Sequence, residues 1–198
     1  MTGDSFVAKL KSFFPLRAFA QEEDREGAEG LWTLKSPDGG EWGVYLKSSL
    51  QLDTDGGIDP TIKWESTHQD ETSLRWANGK SVDSNSVPFV VIPGGWSRGI
   101  RLGDLCHVQY ANKVVAAIVA DIGPKRKIGE GSIALHRLLG FERIKNGKIV
   151  DVGISGGVRT VFYPNSGNGF CQSVFDIERI ANEKWEALTG EDEGCGDA

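Results

Sequence analysis

The sequence predicts a mainly β protein with a few short helices, and three observations indicate this. Short runs rich in β-branched residues occur along the chain, as at 87–93 and 114–120, and are typical of buried strands. Glycine is abundant, with 26 among 198 residues, so turns should be frequent. Hydrophobic residues make up 39% of the chain and charged residues 25%, a balance typical of a globular domain with its own core.

Residues 1–30 are predicted to form a helix and a polar linker, followed by a single domain over 31–190 and an acidic tail over 191–198. The helix should lie within 6–20 and be capped by Asp4. Basic residues interrupt its apolar positions, so the segment does not fit a signal peptide. We expect secretion if a leader precedes this sequence in the natural protein, and a cytoplasmic location otherwise. Its apolar face should consist of Val7, Leu10 and Phe14.

The charge and composition of the chain limit its partners. With 22 basic and 28 acidic residues, the net charge is −6. Such a chain is a poor nucleic-acid binder but suits a cationic partner. No run approaches the roughly 18 apolar residues that a membrane span needs, so we expect no membrane partner. Its three cysteines are too few for a disulfide framework, and Cys106 should be a buried apolar residue.

Strands and hairpins are predicted in chain order. Residues 31–35 and 41–47 should pair as a hairpin, because the proline of the intervening SPDGG turn fixes φ and its glycines permit positive φ. An Asn-Gly dipeptide at 146–147 is typical of a second, two-residue hairpin turn. Further strands are expected at 87–93, 104–110, 113–120 and 158–163, the middle two paired across residues 111–112.

Two further helices are expected in the C-terminal half. A short helix should follow Glu130 and end at Gly140. Ser173 has an acidic residue three positions later, a variant of the capping box, and should open a helix that ends at Gly190.

The stretch 114–135 carries two acidic residues of interest. A nearly all-apolar run leads to Asp121 and stops at a Gly-Pro pair, and Glu130 follows near the predicted helix start. An acid at the mouth of a core strand is costly unless it is solvated, paired or used in function. Asp121 is therefore either a turn former or cap, or a catalytic group. Glu130 either complements the helix dipole or acts with Asp121.

The loops over 52–86 contain acids and aromatic residues. In the segment LDTDGGID at 52–59, alternating acids could form a calcium loop, although the later bidentate Glu of an EF-hand is absent, or a plain Asp-Gly turn. Trp64 and Trp76 either stack on sugar rings or cover the edge of the β fold. His68 is isolated, without a partner at metal-ligand spacing, and should be a surface residue.

Seven short blocks stand in a fixed order between about residues 41 and 170. They are YLKSS at 45–49, LDTDG at 52–56 with Asp59, PFVVIP at 88–93, LGDL at 102–105, AIVAD at 117–121, IGEGS at 128–132 and VFY at 161–163. In this order they resemble the glycoside hydrolase family 75 chitosanases. The segment from 103 to 124 also resembles double-psi β-barrels that act on polysaccharides, including the RlpA-type cell-wall proteins. Thr54 departs from the pattern, because secreted fungal members carry cysteine there, and this indicates a bacterial or phage version.

The resemblance implies a six-stranded double-psi β-barrel with a short barrel helix and flanking N- and C-terminal helices. It also implies an endo-acting, inverting enzyme that cleaves chitosan, a cationic amino-sugar polysaccharide. We expect a monomer without cofactor or metal. The family's two essential carboxylates fall on Asp121 and Glu130. The expected substrate-binding residues are Asp55, Asp59, Lys47, Trp64 and Tyr163.

Hydrolysis of a glycosidic bond needs an acid and a second carboxylate. We expect Asp121 to be the general acid, because a strand end should be the drier site, and Glu130 the base. The reverse assignment stays open. The basic run at 125–127 is either a solvated loop or a site for anionic groups of peptidoglycan, so a cell-wall hydrolase on the same barrel is an alternative. A carbohydrate-binding module without turnover is another.

Overall fold

The computed structural model describes residues 1–14, 17–96, 98–150 and 153–190. These ranges contain helices α1 (Gly3–Lys11), α2 (Ile133–Leu138) and α3 (Val174–Thr189). Their strands are β1 (Ala18–Gln21), β2 (Ala28–Lys35), β3 (Trp42–Asp53), β4 (Phe89–Pro93), β5 (Leu105–Tyr110), β6 (Lys113–Gly123), β7 (Glu130–Ser132), β8 (Ile144–Lys145), β9 (Lys148–Ile149) and β10 (Gly153–Tyr163). The predicted acidic tail lies outside the described residues.

Six strands close into a barrel in the order β3, β10, β5, β6, β4 and β7, and β7 pairs back with β3. The β3–β7 and β4–β6 pairs are parallel, and the other four are antiparallel. β2 adds to β3 as the predicted hairpin, and β1 adds to β2. The mainly β prediction, with a closed six-stranded barrel and three helices, is confirmed.

Both faces of β6 are buried over residues 117–121. On β6, Ile118 and Ala120 belong to one apolar cluster, and Ala117 and Val119 belong to a second. The first cluster includes side chains of α1 and α3, and the second joins the barrel strands to α2 through Leu135. Because alternate residues of one strand feed two cores, the run at 114–120 is almost entirely apolar.

The N-terminal helix differs from the prediction in its extent, its cap and its face, since it ends at Lys11 and residues 18–20 belong to β1. Thr2, not Asp4, is the N-cap, and its hydroxyl accepts a hydrogen bond from the backbone N–H of Ser5. The buried face consists of Phe6, Leu10 and Phe13, whereas Phe14 is exposed. Phe6 stacks on Trp185 of α3, with ring centroids 4.5 Å apart. The helix is therefore packed into the core.

The predicted linker over 21–30 is a second difference. Its first residue ends β1, and its last three residues begin β2. The boundary expected at residue 30 therefore lies within a strand that pairs with β3. Polar composition favoured a linker here, but outer strands of a sheet tolerate polar residues on their solvent side.

The predicted local signals at the other elements are confirmed. Ser173 caps α3, and Gly190 ends it with a φ of 73°. The β8–β9 hairpin turns at Asn146 and Gly147, both with positive φ, as a type I′ turn requires. The longest helix in the described ranges has 16 residues, and none there is both long and apolar enough to cross a bilayer.

Candidate functional site

A polar cleft of about 590 Å³ opens where β3, β6 and β7 end near the loop that follows β3. Five acidic side chains and one basic side chain are found among the described residues that line it. The acids are Asp53, Asp55, Glu65, Asp121 and Glu130. The structure thus brings Asp55, Asp121 and Glu130 together, as the sequence predicted, and adds Asp53.

Asp121 lies inside β6 and does not end it, since the strand continues to Gly123. The pairing with β4 shifts by one residue at this point: Val90 opposes Val119, and Val91 opposes Asp121. The extra residue, Ala120, is a β-bulge. A bulge changes the direction in which the following side chains point. Asp121 therefore lies at the cleft, while Ala120 remains in the core.

One oxygen of Asp121 is surrounded by donors. Its Oδ1 accepts hydrogen bonds from the backbone N–H of Ser73 at 3.0 Å and of Ile122 at 2.7 Å. The hydroxyl of Ser73 donates to the same oxygen. The side chain is largely buried, so these three donors fix its orientation.

Glu130 is the first residue of β7 and does not lie in the first turn of a helix. Ser132 is the N-cap of α2, so the predicted helix-dipole role of Glu130 is wrong. In the sheet it pairs with Gln51 on one side and with Val91 on the other. Its Oε1 forms an ion pair with Lys127 Nζ at 2.7 Å.

Asp53 is the functional candidate that sequence reasoning missed. The pKa of its carboxyl is raised to about 7, mainly by burial and further by the charges of Asp55, Asp121 and Glu130, against a hydrogen bond from the backbone N–H of Asp55. The sequence did contain a signal for this residue, because Asp53 ends a core strand. Burial of an acid in that position costs free energy. The family resemblance pointed instead to Asp55 and Asp59 of the same segment.

Asp55 lies in the loop that follows β3 and lines the cleft. Its two carboxylate oxygens accept hydrogen bonds from the backbone and side-chain amides of Gln69 at 2.7 and 3.1 Å. Burial raises its pKa in spite of the backbone hydrogen bond. Oxygens of Asp53, Asp55 and Asp121 lie within 4.8 Å of one another, so this cluster attracts cations. An acidic cluster by itself does not assign a metal, and an ammonium group suits it as well.

Asp59 and Lys47 do not line the cleft. The Oδ1 of Asp59 accepts hydrogen bonds from the backbone N–H and hydroxyl of Thr61, which lower its pKa and form a local turn. Lys47 forms an ion pair with Glu29 at 2.6 Å on the side of β3 that faces β2. Both side chains serve contacts within the fold.

Trp64 and Tyr163 are also outside the cleft lining. Trp64 stacks on His68, with centroids 4.6 Å apart, and lies against Gly57. His68 is mostly buried under this ring, so its predicted surface position is wrong. Tyr163 is buried in the core, where its hydroxyl is 2.7 Å from Nδ1 of His107. Its place in a matching block could not reveal which face of β10 it occupies.

Neither the family models nor the curated proteins contain a match to this chain. The resemblance described above therefore rests on the sequence blocks, and the function is argued from the geometry of the cleft.

Proposed function

We propose that this protein is a glycoside hydrolase that cleaves chitosan, the β-1,4-linked polymer of glucosamine, within the chain. Asp121 and Glu130 are its essential carboxylates. The observation that supports this most is their shared neighbour: Val91 on β4 pairs with Asp121 on one side and with Glu130 on the other.

This arrangement suits hydrolysis by inversion. Residues that flank the same position of a middle strand lie two strand spacings apart, so the two Cα atoms are separated by about 10 Å. Inverting glycosidases hold their two carboxyl groups roughly 6.5–9.5 Å apart to admit a water molecule. Both side chains line one cleft, so we expect their carboxyls to be somewhat closer than the Cα atoms and to fall in that range.

The charge of the cleft favours a cationic polymer. Lys127 is the one basic residue among its described lining, and it is paired with Glu130. The remaining acids leave the cleft negative, in keeping with a net charge of −6 for the chain. Such a cleft attracts the ammonium groups of chitosan and repels nucleic acid. We propose a monomer that acts on polysaccharide, away from membranes.

We also propose that the barrel has the double-psi topology. A closed barrel of six strands with two parallel pairs, β3–β7 and β4–β6, supports this proposal. The position of Asp121 two residues before the end of β6, which belongs to one of these parallel pairs and is followed by Pro124, supports it as well.

One observation favours a second candidate, hydrolysis of peptidoglycan. Lys125 and Arg126 are exposed next to the cleft and line a small groove together with Asp24 and Arg25. Cations in this position suit the carboxylates of the lactyl and peptide groups of the cell wall. A binding module without turnover would leave the buried, hydrogen-bonded placement of Asp121 without a role.

The test is the release of reducing ends from deacetylated chitosan, chitin and purified peptidoglycan. We compare the wild type with Asp121→Asn and Glu130→Gln, and with Asp70→Asn as a control whose side chain is fully exposed. Wild type and control should act on chitosan, and each cleft variant should lose roughly 100-fold or more. Release from peptidoglycan alone would move the function to cell-wall hydrolysis. No release from any polymer would favour the binding module.

A further inference from the structure

Asp53 lies on a different strand from Asp121 and Glu130. It is the last residue of β3, at the mouth of the barrel, and it lines the cleft. One of its oxygens lies within 4.8 Å of oxygens of Asp55 and Asp121. Three carboxylates this close cannot all hold a full negative charge without strong mutual repulsion.

The hydrogen bonds decide which carboxyl keeps a proton. Asp121 Oδ1 receives three donors, and Asp55 receives a donor on each oxygen, an arrangement that suits anions. Asp53 receives one, from the backbone N–H of Asp55 to its Oδ1 at 2.7 Å. Its Oδ2 has no hydrogen-bond partner among the described residues and can carry a proton, and the residue lines the cleft.

Asp53 also stands at a suitable distance from Glu130. In the parallel β3–β7 pair, Gln51 opposes Glu130 and Asp53 opposes Ser132. Asp53 and Glu130 are therefore diagonal neighbours on one face, with Cα atoms separated by about 8 Å. From Cα atoms this far apart, we expect the two carboxyls to reach the separation of an acid and a base in an inverting glycosidase, roughly 6.5–9.5 Å.

We propose that Asp53, and not Asp121, is the general acid of this site, with Glu130 as the general base; the assignment rests on the proposed function. The cause is geometric, because Asp53 accepts one hydrogen bond, whereas Asp55 accepts two and Asp121 accepts three. The high pKa of Asp53, about 7, agrees with a group that holds its proton near neutral pH.

The reaction balances with these groups. The proton on Asp53 Oδ2 passes to the glycosidic oxygen as the bond from that oxygen to C1 breaks, and the bonding electron pair leaves with the oxygen. Water attacks C1 from the opposite face and gives its proton to Glu130. Exchange with solvent then returns a proton to Asp53 and removes one from Glu130. The negative Asp121 stabilises positive charge at C1 and keeps the proton on Asp53.

The experiment separates acid from base through the leaving group. We measure hydrolysis of chitosan and of a β-glucosaminyl oligosaccharide fluoride, whose leaving fluoride needs little protonation. Asp53→Asn should lower kcat on chitosan by roughly 100-fold or more and leave kcat on the fluoride within about 10-fold of the wild type. Glu130→Gln should lower kcat on both substrates. Asp53→Glu should recover part of the activity on chitosan. Thermal unfolding of each variant confirms that it is folded.

Three results would overturn the assignment. Equal losses of Asp53→Asn on both substrates would exclude a role in protonation. Selective retention of the fluoride reaction by Asp121→Asn would give the acid role to Asp121. Wild-type protein that hydrolyses neither substrate would overturn the proposed function itself, and this outcome is distinct from an error about Asp53 alone.

Discussion

Asp121 and Glu130 are both register partners of Val91, one across a parallel pair of strands and one across an antiparallel pair. Val91 lines the cleft between them and is otherwise buried. Two carboxylates that are nine positions apart in sequence are thus held by one strand from a different part of the chain. Rigid strands on both sides of Val91 set their separation, which a loop could not do.

Gly123 is predicted to set the position of the Glu130 carboxylate. A Cβ at Gly123 would lie 2.8 Å from Glu130 Oε2 and 3.0 Å from Val91 Cγ1. In Gly123→Ala the flexible end of Glu130 should move aside, so kcat on chitosan should fall roughly 10- to 100-fold with little loss of stability. Gly94→Ala is the matched control, since its nearest neighbours lie at 3.4 Å. Equal activities of the two variants would contradict this role.

Ser73 is predicted to orient Asp121 through its hydroxyl. Ser73→Ala removes that donor but keeps the backbone N–H that binds the same oxygen. Because Ser73 is exposed, the free energy of unfolding should hardly change, whereas kcat should fall about 10-fold. Ser66→Ala, an exposed serine of the same loop, should have neither effect. An unchanged kcat in Ser73→Ala would show that the backbone donors suffice.

Asp53 should make stability depend on pH. The unfolded chain releases this proton near pH 3.8, but the folded protein retains it until about pH 7. The folded state therefore binds more protons between these values, and its stability falls as pH rises through that window. Asp53→Asn removes the effect, so its stability relative to wild type should increase between pH 4 and pH 8 by up to about 4 kcal/mol. Urea unfolding at both pH values measures this difference, and parallel changes in the two proteins would contradict it.

Tyr163 is predicted to act in the core and not on substrate. In Tyr163→Phe, the Nδ1 of His107 loses its partner in a buried site, which should cost about 1–3 kcal/mol of stability. Activity of the folded variant on chitosan should be unchanged. Tyr110→Phe, in a half-buried ring without a hydrogen bond to its hydroxyl from the described residues, is the control. Lost activity at full stability would return Tyr163 to the substrate site.

The sequence predicted those parts of the fold that depend on local chemistry. Helix α3 follows from its Ser173 cap and Gly190 end, and the β8–β9 hairpin follows from its Asn-Gly turn. The buried strand β6 follows from its nearly uninterrupted apolar run, because a strand with one solvent-exposed face would alternate apolar and polar residues. Such signals lie within a few residues of the structure they specify.

The features that the sequence did not reveal depend on distant contacts. The sequence predicted the wrong buried face for α1, because Phe13 and Phe14 are adjacent. Only packing against the barrel determines that Phe13 is the buried one. The bulge at Ala120 appears only in the pairing with β4. The high pKa of Asp53 arises from burial and from the charges of Asp55, Asp121 and Glu130, two of which lie on distant strands, and no local pattern encodes it.

The most direct measurement of the central claim is proton NMR of a chitosan oligomer during hydrolysis, recorded faster than the product anomers interconvert. It detects bond cleavage and the configuration of the new reducing end together. The separations of Asp121 from Glu130 and of Asp53 from Glu130 predict that the α-anomer appears first and that Glu130→Gln gives no product. A β-anomer that appears first would mean direct attack by a carboxylate, and the absence of any new anomeric signal would contradict hydrolysis at this cleft.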